Sequence, residues 1–386
     1  MGENMKKILL VLLVIGIITF NMKEEEKQEK EEIRGVFISY IELSKQIKGK
    51  EEKIAKANIK TMIQNIKKLK LNTIILQIRP TSDAIYPSKI FPYSIYVSSK
   101  EGDKTFDILK YYLEESHNNN MKLIAWINPY RIRTTEDIST ISNLSPAYPY
   151  LETDTVYYKN GIYWNPSKKE VTDLILKGVE EVLTYEVDGI LFDDYFYPDS
   201  EIDHKDYEVY KEKHPSISEE EYHLQVINEM VKKVHQICQK KNVRFGISPD
   251  GNIDNNYQRH YADVKTWMKD NTYIDFIMPQ IYYGFYNSTR AYLKVAREWD
   301  SLLKTNLVDL YIALAFYKVG KEDLYAQEGK NEWIENNNII MKEIILSRNL
   351  DNYKGFSLFR YDSIFNNTNV NQNSKIELEN LKRIIK

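Results

Sequence analysis

Val187-Asp188-Gly189-Ile190-Leu191-Phe192-Asp193-Asp194-Tyr195-Phe196-Tyr197-Pro198 is the stretch whose reading decides the fold. It begins as a short aliphatic run and ends in two acids, three aromatic rings and a proline. That is the make-up of a buried strand stopping at a polar edge. On either side, 171–185 and 222–238 carry apolar residues at helical spacing. Working outward, the same rhythm repeats along the chain. Strand-like runs at 33–40, 72–80, 122–131, 188–196, 244–251, 275–283, 309–318 and 355–362 alternate with helical stretches such as 54–69, 106–117, 291–303 and 333–346. Strand alternating with helix predicts parallel pairing, and eight such units predict a closed (β/α)8 TIM barrel of the α/β class. The alternative is a doubly wound open sheet, but no GxGxxG or GxxxxGK[ST] follows any of these strands.

The segments after the second, third and fourth strands are long, covering about 81–104, 132–166 and 197–219. In this fold the connections after strand C-termini build the active face, so the extra chain is expected on one rim of a single barrel domain, 33–386.

Composition narrows the chemistry. Fifty-three Lys and Arg against 56 Asp and Glu leave a net charge of -3, so the basic field of a nucleic-acid binder is missing. One cysteine, Cys238, excludes an intrachain disulfide framework and any Cys-rich metal site, and its spacing with Val231 and Val234 predicts a packed core thiol. The six histidines, His117, His204, His214, His223, His235 and His260, form no HExxH or HxH pair and are read as surface or satisfied residues. No metal or other cofactor is expected. Thirty tyrosines suit a wet groove that needs apolar faces with polar tips.

At the N-terminus, Lys6 and Lys7 precede an apolar run over 8–20. The run is shorter than the about 20 residues of a membrane-spanning helix. We read 1–22 as a signal peptide or N-terminal membrane anchor and the Lys/Glu/Gln-rich 23–32 as a solvated linker. The expectation is an exported protein of the cell envelope or extracellular space, touching a membrane only through this segment.

Chemistry-bearing residues gather where the strands end. These are Gln77 and Arg79; Trp126, Asn128, Tyr130 and Arg131; Asp193, Asp194 and Tyr195; Gln280 and Tyr282; Tyr317; and Arg360. Period-two alternation puts Gln77 with Arg79, Trp126 with Asn128, Asp193 with Tyr195, and Gln280 with Tyr282 on shared faces. Carboxylates, amides, guanidinium groups and rings on one concave rim describe a carbohydrate site. Cleaving a glycosidic bond needs a protonated carboxyl for the leaving oxygen. It also needs a second carboxylate, or the substrate's acetamido group, to stabilise the oxocarbenium-like carbon. Asp193 and Asp194 are the catalytic candidates, and alternation lets at most one of them face the substrate in a regular strand. Asp83, Asp250, Asp254 and Asp362 are candidates for the second carboxylate. Arg79, Asn128 and Gln280 are read as positioners, and Trp126, Tyr282 and Tyr317 as stacking platforms. Asp83, Tyr130, Arg131, Tyr195 and Arg360 complete the expected binding set.

Several motifs resemble the glycosyl-hydrolase-like 10 family: Arg34-Gly35-Val36-Phe37, Gln77-Ile78-Arg79-Pro80 with Asp83-Ala84-Ile85-Tyr86, Ala125-Trp126-Ile127-Asn128-Pro129-Tyr130-Arg131, the opening stretch above, and Pro279-Gln280-Ile281-Tyr282. Their order matches from about 33 to 362. The resemblance implies a bacterial (β/α)8 glycosidase, often tethered to the envelope, with relatives acting on peptidoglycan glycan strands. This chain departs from the lipoprotein members in having no cysteine after its apolar run. A more distant similarity is to family 18 chitinases. Asp193 falls on the third Asp of their DxxDxDxE pattern, whereas Tyr195 stands at the general-acid Glu.

Two functions are therefore expected to compete. The first is an exported glycoside hydrolase acting on an acetamido-bearing polysaccharide, cell-wall glycan above all. The second is a non-catalytic carbohydrate-binding protein on a degenerate barrel, kept open by Tyr195.

Overall fold

The computed structural model describes residues 31–103, 106–193, 196–365 and 372–385. The segment 1–22 lies outside these residues, as does the linker up to residue 30. The chain divides after Glu32, and the unit Ile33–Lys386 carries everything described below.

Its strands are β1 (Ile33–Ile38), β2 (Thr73–Arg79), β3 (Lys122–Ile127), β4 (Arg131–Arg133), β5 (Val156–Tyr158), β6 (Ile162–Trp164), β7 (Gly189–Phe192), β8 (Arg244–Ile247), β9 (Phe276–Ile277), β10 (Asp309–Leu314) and β11 (Tyr353–Leu358). Its helices are α1 (Tyr40–Ile47), α2 (Glu52–Lys68), α3 (Ile108–His117), α4 (Lys169–Val182), α5 (His204–Lys213), α6 (Glu219–Lys240) and α7 (Ile253–Gln258). There follow α8 (Val264–Trp267), α9 (Tyr292–Leu302), α10 (Glu332–Glu335), α11 (Ile339–Ser347), α12 (Tyr361–Phe365) and α13 (Gln372–Ile384).

Eight strands close a barrel in the order β1-β11-β10-β9-β8-β7-β3-β2, every described pairing parallel. This is the expected (β/α)8 barrel. The connection after β3 folds into its own antiparallel sheet, β4-β6-β5. The helical stretch expected over 333–346 is divided into α10 and α11, because Asn336, Asn337 and Asn338 interrupt it with side chains that compete for backbone hydrogen bonds. The sixth strand is shorter than its expected 275–283. Beyond β9 the chain meets its neighbours through isolated bridges from Gln280 to Asp250 and Ala313, with the Met278 backbone N–H donating to the Ile247 carbonyl at 2.8 Å.

Inside, side chains stack in layers as alternation requires. Phe37, Ile75, Trp126, Leu191, Met278 and Ala313 belong to one apolar cluster filling the barrel, while a separate cluster joins the outer strand faces to the helices. Towards the N-terminal ends of the strands, Arg244 donates to Asp309 and to the Tyr311 hydroxyl, both at 2.6 Å, and lies over the Phe276 ring. That end is plugged. Polar residues of the layer above the apolar filling therefore face the opposite mouth.

Candidate active site

The mouth holds a cavity of about 390 Å³, lined by Phe37, Ser39, Tyr40, Ile41, Gln77, Trp126, Arg131, Asp193, Ser248, Gln280, Tyr282, Phe359 and Arg360. Such a volume is near the lower end for ligand pockets. Its residues come from the C-terminal ends of different strands, the position that carries chemistry in this fold.

Asp193 follows directly on β7 and is only 3% exposed. Its Oδ2 accepts from the Trp126 indole nitrogen at 3.2 Å and from the Asn128 side-chain amide. Asn128 is held in turn by Gln77, whose Nε2 donates to its carbonyl at 2.6 Å. The Gln77 carbonyl takes the Tyr40 backbone N–H at 3.0 Å. A train of amides thus runs from the start of α1 to one carboxylate. Two N–H donors aimed at one oxygen form a cradle suited to a carboxylate anion.

Aromatic rings form one wall. Tyr282 lies 5.7 Å from Phe359 and 5.8 Å from Tyr317, centroid to centroid, and Phe359 also faces Phe37 at 5.4 Å. Trp126 meets Phe37 edge to face, so it serves both as barrel core and as cavity floor. Burial pushes the Tyr317 hydroxyl up to about 12. Gln280 donates to the Ser248 carbonyl at 3.0 Å.

Two guanidinium groups stand at the edge. Arg131, at the start of the small sheet, donates through Nε to the Pro80 carbonyl at 2.9 Å. Arg360 donates through Nη1 to the Ser39 hydroxyl at 2.9 Å and to Glu42 at 3.1 Å. Ser39 and Glu42 form a reciprocal cap at the start of α1, which fixes the first turn.

The structure thus brings Trp126, Asn128, Arg131, Asp193, Gln280, Tyr282 and Arg360 together, with Tyr317 behind the wall. Asp194 and Tyr195 lie outside the described residues. Others are placed elsewhere. Arg79 does not share the inward face of Gln77, because a bulge sets Gln77 opposite Trp126 but Arg79 opposite Ile127. The extra residue inverts the alternation. Arg79 then lies 4.3 Å over the Phe91 ring and against Gly178 of α4, outside the barrel. Tyr130 is fully buried where the chain leaves β3 for β4, and burial raises its hydroxyl pKa. Asp83 is sealed under the loop after β2, where Thr81 donates to it at 2.7 Å and burial raises its carboxyl.

The other second-carboxylate candidates also lie off the cavity. Asp250 is tied to the Asn252 backbone and the Asn255 side chain, Asp254 sits exposed on α7, and Asp362 pairs with Lys45. Asp193 is the one carboxylate among the described residues lining the cavity.

Sequence reasoning missed Ser39, Phe359 and Glu42. The spacing Ser39-Tyr40-Ile41-Glu42 after a strand is a capping-box signal that pointed to the last of these. It also set His260 aside. That residue is half-buried with an unpartnered Nδ1, and Asp250 and Asp193 both bear on its charge. Burial is the stronger influence and lowers its pKa. Among the described residues no group of three or more His, Cys, Asp or Glu is arranged to hold a metal ion.

Residues 32–334 match the family described as Glycosyl hydrolase-like 10. The chain belongs to that family. It is 32% identical over 375 residues to the glycosyl hydrolase YngK of Bacillus subtilis (strain 168), covering 90% of this chain and 71% of YngK. It is 31% identical over 330 residues to the glycosyl hydrolase DigH of Escherichia coli (strain K12), covering 78% of this chain and 74% of DigH. Among solved structures, its fold resembles the glycoside hydrolase domain of PgaB (BpsB) from Bordetella bronchiseptica. The TM-score is 0.58 at 11% identity, over 92% of this chain and 99% of that domain.

Proposed function

We propose that this chain is an exported glycoside hydrolase that cleaves glycosidic bonds in an acetamido-sugar polysaccharide, bacterial cell-wall glycan being the substrate. The observation that carries the reading is Asp193, a buried carboxylate cradled by Trp126 and Asn128 at the floor of an aromatic-walled cavity. Family membership supports hydrolase chemistry. In this reading the group that stabilises the anomeric carbon is the substrate's own acetamido oxygen. It bonds to the anomeric carbon as the leaving oxygen departs with a proton, and water then opens the ring so formed. Asp193 holds the acetamido group and offsets the positive charge that develops beside it. Asp194 is the proposed proton donor.

The test is reducing-end release with mass analysis on peptide-stripped and intact peptidoglycan. Cleavage by the wild type should fall by about three orders of magnitude in Asp193→Asn. A wild type that binds glycan and releases no ends would favour the second reading, a binding-only barrel, for which Tyr195 in place of the chitinase general-acid Glu speaks. Export through 1–22 is part of the proposal, and cell fractionation that recovers the protein in the cytoplasm would overturn it.

A further inference from the structure

The cavity is small, and a polymer seated in it must continue across the rim. Two neighbouring segments of that rim present large apolar side chains to water. Tyr286, in the connection after β9, is 67% exposed; Leu324 and Tyr325, in the connection after β10, are 70% and 90% exposed. Single exposed apolar residues are ordinary, but these lie on two loops locked together beside the aromatic wall. A Cβ on Gly329 would come within 2.8 Å of the Asn287 backbone nitrogen, so the two loops touch backbone to backbone. Glu332 accepts the backbone N–H groups of Phe285 and Tyr286 at 2.8 and 2.9 Å, and the Ser288 hydroxyl donates to Gln327 at 2.9 Å.

These loops are also tied to the cavity. Lys318 donates to the Tyr282 carbonyl at 2.8 Å and pairs with the buried Asp323 at 2.7 Å. Asp323 receives the Tyr325 backbone N–H at 3.3 Å. A cavity-lining tyrosine and the most exposed tyrosine on this rim are thus joined through one ammonium and one carboxylate. Collapse of these loops over their own rings would bury apolar surface, yet the cross-links hold the rings outward. A phenol face in water, with amide and hydroxyl groups beside it, suits the C–H face and hydroxyls of a sugar.

We infer that Tyr286 and Tyr325, with Leu324, form a second glycan-binding platform that receives sugar units of the same chain beyond those in the cavity. The inference rests on the proposed glycosidase reading and deepens it, because it assigns a place to the sugar units that extend beyond the cavity. The bridge from Tyr325 through Asp323 and Lys318 to Tyr282, itself a member of the Tyr282–Tyr317–Phe359 wall, favours a polysaccharide as occupant over a protein partner.

The experiment is steady-state kinetics on a ladder of peptide-stripped glycan oligomers, disaccharide upward, with wild type and Tyr286→Ala/Tyr325→Ala. In the wild type KM should fall as oligomers outgrow the cavity. The double variant should lose that fall, with KM about tenfold higher for long chains, the scale of two lost stacking contacts. Tyr325→Phe should restore most of it, because the ring and not the hydroxyl stacks. Equal dependence of KM on length in wild type and variant would overturn the platform while leaving the glycosidase reading intact. A wild-type KM that does not change with length would do the same. A wild type that turns over no oligomer of any length would overturn both. Since these rings are exposed, the melting temperature of the variant should match wild type, and a large drop would show a structural role instead.

Discussion

The side chain of Asn128 faces two ways at once. Its amide nitrogen donates to Asp193 while its carbonyl receives Gln77 at 2.6 Å. Asn128→Ala would break this chain at its middle link, leaving Asp193 with the indole donor and Gln77 with an orphaned N–H. We expect kcat to fall about a hundredfold with KM little changed, since the loss falls on the orientation of one carboxylate. Parallel losses in KM and kcat would show that Asn128 contacts substrate instead.

Trp126 separates packing from donation. Trp126→Phe keeps an aromatic ring beside Phe37 and removes the N–H that reaches Asp193 at 3.2 Å. Its kcat should drop about tenfold, the worth of one hydrogen bond to a charged group. Trp126→Ala should cost about 3–5 kcal/mol of stability by emptying the floor. Calorimetry beside kinetics separates the two effects.

Gly178 tests where Arg79 lies. In the middle of a helix, Gly→Ala ordinarily stabilises by about 1 kcal/mol. Here the new methyl would overlap the Arg79 guanidinium and press on Phe91. Gly178→Ala should therefore destabilise by about 1–3 kcal/mol, read by urea titration. An increase in stability would place Arg79 elsewhere.

Glu377 gives a pH signature. It is buried on α13, and its Oε1 accepts the Met341 backbone N–H at 2.8 Å at the start of α11. Burial is the largest influence and raises its carboxyl from an ordinary 4.5 to about 7. Nearby Glu343 is raised well above the ordinary value, by burial first and by Glu377 next. A group raised in the folded state stabilises fully below its unfolded value, and that stability is lost as pH rises through the folded one. The wild type should lose stability between about pH 4.5 and 7, by up to about 3 kcal/mol from this residue. Glu377→Gln keeps an oxygen for Met341 and should flatten that slope, melting higher than wild type above pH 7. Identical melting profiles from pH 4.5 to 8 would remove Glu377 from the account.

The barrel was legible because its strands and helices differ in apolar period, and period survives in sequence. So was the part of the cavity that obeys alternation, namely Trp126, Asn128, Asp193, Gln280 and Tyr282. Arg79 broke the pattern because a bulge of one residue leaves no composition signal. Tyr130 and Asp83 were misplaced because alternation has no meaning once a chain has left its strand. Phe359, an apolar residue just past β11, carries no polar signal in sequence, yet it lines the cavity. The environment of His260 depends on Asp250 and Asp193, from other strand ends, so nothing beside it in sequence announces it.

Arg360 grips Ser39 across 321 residues of chain. A ribosome delivers Ser39 near the beginning and Arg360 close to the end, so the two sides of the mouth meet only when synthesis is almost complete. The same holds for β1, whose partner β11 is the last strand of the barrel. Until then a nascent chain has an open sheet and no gripped rim. The last unit thus acts as a closing clasp, and a chain cut short before β11 would be an inert fragment rather than a weaker enzyme.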